Sequence, residues 1–284
     1  MQECLIKKAQ ELIAKNPNEV IIVVDFTQLQ KMYASKMENL GYDHNGCTNR
    51  TEKGISLGVL AIVGKSEIVP IKASYWIQKK LANGEYKSKT DLAKDLIKEA
   101  SNIFGLLKIR LDGAFSSENF LKFLTELGIE FAVRMPTNRI VTTEDGHKSQ
   151  LKKNPALKLM RNQREKKVKG SYKSVDNLLF ISEKRRRKDN EWETVFLVTN
   201  IEEFSAKECI AFYAQGGAIE KCFRTLKQSL GVGQCQMLSQ DKQMTHILTT
   251  FLAYNFLSQQ KNIKQKKCPE DIIHMIREGV FAES

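Results

Sequence analysis

Hydrophobic positions along this chain change period several times, and each change marks a predicted element. Leu5, Ile6, Ala9, Leu12 and Ile13 recur at helical spacing, and Asn16-Pro17-Asn18 closes the stretch, so residues 1–19 read as one amphipathic helix. Val20 to Val24 is a continuous apolar, β-branched run that ends in Asp25, the pattern of a central strand buried on both faces. Ile55–Val63 and Ile68–Ile77 are two further strand-like runs, and Gly64-Lys65-Ser66 between them reads as a hairpin turn. Helical spacing returns over 89–104 through Leu92, Ala93, Leu96, Ile97, Ala100 and Phe104, with Gly105 as the stop. Leu106–Leu111 is a strand that again ends in an acid, Asp112. A helix with Ser116 as its N-cap and Gly128 as its stop leads to another strand, Ile129–Val133. Strands that alternate with helices in this order predict an α/β sheet of mixed direction.

Residues 136–194 break that pattern. Periodicity weakens, and the segment holds 16 Lys and Arg against 8 Asp and Glu. Its end reads as a hairpin, Leu178–Ser182 with Thr194–Thr199, whose tip carries Lys184, Arg185, Arg186, Arg187 and Lys188. Strand-like runs recur inside it, so it is an insertion rather than a linker. From Ser205 the chain turns helical: Ser205 and Glu208 have capping-box spacing, and helices are expected near 206–214, 218–229, 240–260 and 269–278.

Charge narrows the partners. Across 284 residues, 45 Lys and Arg outweigh 33 Asp and Glu, a formal +12 that favours a polyanion. Every apolar run falls far short of the roughly 20 residues a membrane-crossing helix needs, and the start does not resemble a secretory signal. The expected partner is nucleic acid, not a membrane, in the cytoplasm at the nucleoid. The six cysteines (Cys4, Cys47, Cys209, Cys222, Cys235 and Cys268) show no Cys-x-x-Cys pair, which gives no support to a zinc site or a disulfide scaffold.

Candidate chemistry therefore rests on carboxylates. Asp25 and Asp112 end strand-like runs, and in an open α/β sheet such positions face the ligand crevice, although Asp also suits turns. Further on, Ile219, Cys222, Phe223, Leu226 and Leu230 form one helical stripe, with Glu220, Arg224 and Lys227 beside it at i, i+4 and i+7. Alone, that second stripe is also the pattern of a solvated charge ladder.

Three segments together carry a resemblance. Val24-Asp25-Phe26-Thr27, Leu111-Asp112-Gly113-Ala114-Phe115, and Tyr213-x(6)-Glu220-x(6)-Lys227 with Phe223-Arg224-x-Leu226-Lys227-Gln228 occur in that order. The chain from Val20 to about Leu257 resembles the catalytic core of DDE-type insertion-sequence transposases, the group with a β-strand insertion. The resemblance implies a ribonuclease H-like α/β fold, a mixed sheet with flanking helices and a β-rich insertion before the last catalytic helix. It divides the chain into an N-terminal helix (1–19), a first core part (20–135), a basic insertion (136–204), core-completing helices (205–260) and a helical tail (261–284). It also implies that Asp25, Asp112 and Glu220 are the catalytic, metal-binding triad, and that Tyr213 and Lys227, flanking Glu220 on one helix face, hold DNA, with Arg224 beside them. Phosphodiester cleavage suits that assignment: two Mg²⁺ ions, for which Mn²⁺ can substitute, activate the attacking oxygen and stabilise the leaving one through carboxylate ligands. Without metal, three converging carboxylates would repel one another.

The implied activity is cleavage of transposon ends and strand transfer to target DNA by a homodimer on double-stranded DNA. In two places the chain departs from the family pattern. Gly216-Gly217 stand where the family carries Arg-Trp, so restoring Gly216→Arg is expected to raise cleavage. Only 24 residues precede Asp25, where a terminal DNA-binding region is usual. Two other readings stay open: a truncated, catalytically impaired DNA-binding remnant, and another ribonuclease H-like nuclease.

Overall fold

The computed structural model describes residues 1–45, 49–82, 86–105, 107–187 and 189–280; Cys47, Leu106 and Lys188, named above, lie outside them. In chain order the elements are α1 (Gln2–Lys15), β1 (Ile21–Gln30), β2 (Gly41–Asn45), β3 (Arg50–Val63), β4 (Ile68–Trp76) and α2 (Lys89–Phe104). Then follow β5 (Lys108–Leu111), α3 (Glu118–Glu126), β6 (Phe131–Met135), β7 (Ile140–Thr143), β8 (Lys148–Gln150), β9 (Glu165–Tyr172), β10 (Val175–Arg186) and β11 (Trp192–Thr199). The chain closes with α4 (Ala206–Gln215), α5 (Ala218–Gln228), α6 (Gln240–Ile263) and α7 (Pro269–Arg277). Among the described residues no helix is long and apolar enough to cross a membrane.

Contacts divide the chain into two units, residues 1–102 with the chain from Gly217 onward, and Ile103–Gly216. The first unit is organised by β3. Over Gly54–Val63 it pairs antiparallel with β1; its other edge takes β2 near Gly54 and β4 from Ser56 to Val63. From Gly54 to its end at Val63, β3 is buried without alternation, because helices cover both of its faces. Leu96 of α2 reaches Gly58 beside the Phe26 ring on one face. Phe223 and Leu226 of α5 and Phe251 of α6 meet Thr27, Leu29, Leu57 and Val59 on the other.

The second unit carries the strand order β5-β6-β11-β10-β9-β7-β8. Among the described strands of this unit only β5 and β6 run parallel, joined by α3; the remaining neighbours are antiparallel, which makes the sheet mixed as expected. Ser205 accepts from the Glu208 amide and Glu208 accepts from the Ser205 amide, so the capping box that starts α4 forms as read from the sequence.

Some boundaries differ from the sequence reading. Strand β1 continues five residues beyond Asp25 because β3 supplies partners as far as Gln30 opposite Gly54, so Asp25 lies within a strand rather than at its tip. Ser117, not Ser116, is the N-cap of α3; Ser116 instead closes a 3₁₀ turn over residues 113–115 by donating its hydroxyl to the Gly113 carbonyl at 2.7 Å. Strand β2, Gly-Tyr-Asp-His-Asn, is too polar to have been recognised as a strand.

Candidate active site

Within the first unit, Glu220 stands in the first turn of α5, where the helix dipole favours an acid. Ile219, Cys222, Phe223 and Leu226 bury the opposite stripe, and this amphipathicity leaves Glu220, Arg224 and Lys227 exposed on an open cleft of about 460 Å³. Phe26, Thr27 and Gln28 of β1 line the same cleft. Asp25 is half-buried, and its Oδ1 accepts from the Phe26 amide at 2.8 Å. Strand alternation gives Asp25 the face of Thr27 and Leu29, which is the face α5 covers.

Besides Gln28, three cleft residues escaped the sequence reading: Asp43 and His44 on β2, and Lys89 at the start of α2. Asp43 accepts from Lys89 Nζ at 2.6 Å and from the Ser56 hydroxyl at 2.8 Å. Lys89 also lies 4.6 Å from the Trp76 ring centroid, so this pair is a fixed wall of the cleft rather than a free acid and base. The wall becomes visible only once β2 is paired to β3.

Asp112, in the second unit, is exposed and directly follows β5, at a strand tip as expected. Tyr213 is 4 % exposed in α4. Burial pushes its hydroxyl above the ordinary tyrosine range; the nearby positive charges of Arg110, Arg134 and Arg185 oppose that shift, and Asp112 adds to it. Arg110 lies over the Tyr213 ring at 4.4 Å and Arg185 at 6.0 Å.

The basic run is only partly a hairpin tip. Lys184, Arg185 and Arg186 are the last residues of β10, in register with Thr194, Glu193 and Trp192. Lys184 sits 5.2 Å from the Trp192 ring, and Arg185 pairs with Glu183. Arg186 and Arg187 are exposed, with Arg187 3.7 Å from Asp189. Replacing both Arg186 and Arg187 by Ala is therefore expected to lower the slope of log affinity against log salt by about 2 for any DNA duplex. Fluorescence anisotropy at several salt concentrations checks this, and an unchanged slope would exclude these two side chains from the DNA contact.

The helices expected near 206–214 and 218–229 form as α4 and α5, but because they are separate Tyr213 does not share one helix face with Glu220 as the resemblance implies. Gly216 and Gly217, both with right-handed φ/ψ, form a turn between α4 and α5, so helical periodicity cannot be counted across them. The expectation for Gly216→Arg also changes. A Cβ on Gly216 would overlap the Arg110 Cδ and lie 2.6 Å from its Nε and 2.9 Å from its Cγ. The space for a side chain is already taken, so arginine at 216 has to displace one already there before it contributes anything.

Carboxylate oxygens suit a hard divalent cation, and Mg²⁺ is commonly held by one or two carboxylates with waters and substrate phosphates rather than by an all-protein cage. Among the described residues no three His, Cys, Asp or Glu side chains are grouped closely enough to hold an ion.

The sequence pattern described as the transposase DDE domain matches residues 74–256, well over half of the chain. The chain belongs to the DDE transposase family. The matched stretch of this transposase domain contains Asp112, Tyr213 and Glu220, whereas Asp25 and β1 precede it. Among solved structures, the domain is similar to a piggyBac transposase synaptic complex with hairpin DNA seen by cryo-electron microscopy, with a TM-score of 0.53 and 15 % identity. That similarity shows a shared fold, the ribonuclease H-like α/β class. It covers 87 % of this chain and 48 % of the piggyBac chain, so the domain spans about half the length of that relative. No curated protein matches the sequence at a significant level.

Proposed function

We propose that this chain is the catalytic domain of a DNA transposase that cuts strands at transposon ends and joins the freed 3′-hydroxyls to target DNA. The observation that carries the reading is the composition of the α5 cleft: an exposed acid, Glu220, beside two exposed bases, Arg224 and Lys227, on a helix inside the family match. In this reading Asp25, Asp112 and Glu220 hold divalent metal, Mg²⁺ with Mn²⁺ as a substitute. When bound, the metal activates the attacking oxygen and stabilises the leaving one.

Cleavage forms a bond between a water oxygen and phosphorus and breaks the P–O3′ bond, leaving a 3′-hydroxyl on one side of the nick and a 5′-phosphate on the other. Strand transfer repeats the displacement, with that 3′-hydroxyl as nucleophile and a target 3′-oxygen as leaving group. Arg224, Lys227 and the Tyr213 hydroxyl hold the phosphates, and the basic segment within 136–204 adds sequence-independent contacts to the backbone. Two copies of the chain act together, because two transposon ends must be brought together.

Incubating the chain with duplexes that carry the element's own ends, with Mg²⁺, with Mn²⁺ and with chelator, tests this directly. Metal-dependent nicks at the element boundary are expected. Tight binding without any nick would favour the catalytically impaired remnant, and cleavage of branched duplexes alone would favour another ribonuclease H-like nuclease.

A further inference from the structure

Arg110 has an unusual position. It belongs to β5, two residues before Asp112, and is only 8 % exposed despite its charge. Its Nε is buried without a hydrogen-bond partner among the described residues, a placement that ordinarily costs stability. The guanidinium carbon lies over Tyr213, 4.4 Å from the ring centroid, and this cation–π contact offsets part of that cost. Its stem passes through the volume that a side chain at residue 216 would occupy. Gly216 is buried and has an ordinary right-handed φ of −65°, so nothing in its backbone conformation calls for glycine. What calls for glycine is Arg110.

We propose that Arg110 is a positioning residue that fixes Tyr213, and that Gly216 is the slot through which it reaches the ring. Three consequences follow from the geometry. The end of α4 is tied to the end of β5, so Tyr213 and the backbone that carries Asp112 are held together within the second unit. Tyr213 keeps one ring orientation, since a guanidinium carbon 4.4 Å from the ring centroid obstructs rotation of the ring. The residues at 110 and 216 are interdependent, with an arginine at one requiring the absence of a side chain at the other. The functional part of the proposal rests on the reading of Tyr213 as a phosphate-holding residue, whereas the pairing of 110 with 216 does not.

The test uses the full chain and two measurements. Thermal unfolding is compared for the parent, Gly216→Ala, Arg110→Ala and the double variant. In the parent background Gly216→Ala is expected to lower Tm by on the order of 5 °C, because the new methyl group is forced against the Arg110 stem. In the Arg110→Ala background the same change is expected to raise Tm by roughly 2 °C, the ordinary gain of alanine over glycine at helical φ/ψ. Gly216→Ala stabilising the parent would overturn the pairing.

The second measurement is anisotropy of a labelled 30-base-pair duplex of arbitrary sequence with Arg110→Ala, Tyr213→Phe and their combination. Arg110→Ala is expected to weaken binding about three- to tenfold when Tyr213 is present, and to have no further effect once its hydroxyl is gone. Arg110→Lys, which retains a stem and a cation, is expected to recover part of the loss. Equal losses in the Tyr213 and Phe backgrounds would overturn the positioning role. If the parent fails to bind duplex at all, the transposase reading of Tyr213 fails with it, while the sign of the Gly216→Ala effect still decides the pairing.

Discussion

Asp112→Asn is expected to reduce metal-dependent strand cleavage by roughly 10³-fold or more, equivalent to about 4 kcal/mol of transition-state stabilisation, while duplex affinity stays within about twofold. Asp112 directly follows β5, and its side chain is exposed, so an isosteric amide removes charge without opening the core. Binding is dominated by cations on other elements, which the substitution leaves in place. Glu220→Gln is expected to act alike, since Glu220 is exposed on α5 and its neighbours Arg224 and Lys227 remain. The double variant is expected to be no worse than either single one, because groups that act on one reacting centre are lost as a unit. Single-turnover cleavage with Mg²⁺, read beside anisotropy on the same duplex, checks this. Cleavage by Asp112→Asn within tenfold of the parent would remove Asp112 from the reacting centre.

Gly54→Ala is expected to destabilise the chain by about 3 kcal/mol, read as a fall in Tm of roughly 8 °C. Gly54 is the one residue of β3 paired both with β1, at Gln30, and with β2, at Gly41. A Cβ there would overlap the Leu29 carbonyl oxygen and lie 3.1 Å from the Leu29 carbonyl carbon. Those are backbone atoms held in the ladder, so relief requires β3 to part from one neighbour. Strand β2 is the weaker of the two, at five residues against ten. Its loss would carry Asp43 and His44 away from the cleft, so cleavage is expected to fall together with Tm. Gly41→Ala is the control: its Cβ would sit 3.4 Å from the end of Leu81 and 3.5 Å from Gln78 Oε1, ordinary contacts with side chains. A loss of Tm as large for Gly41→Ala would show that the edge tolerates no side chain for some other reason.

Buried cysteines add nothing to the chemistry. Burial pushes the Cys209 and Cys222 thiols up to about 12, which leaves them protonated and unreactive near neutral pH. The five described cysteines are all free thiols.

What was legible in the sequence is what local periodicity records. The β3–β4 hairpin, α2, the capping box of α4 and the charged stripe of α5 each appear as a run of residues whose spacing or cap chemistry is complete within about a dozen positions. Family membership was legible for a related reason: the resemblance rests on three short segments, each complete within its own stretch of chain. Tertiary structure alone decided the rest. The extension of β1 past Asp25 and the recruitment of Asp43 by Lys89 and Ser56 both depend on partners distant in the chain. The clearest case is Arg110 in the space left by Gly216. In the sequence, one reads as a charged strand residue and the other as a missing arginine; only close packing shows that the absent side chain at one position makes room for the side chain at the other.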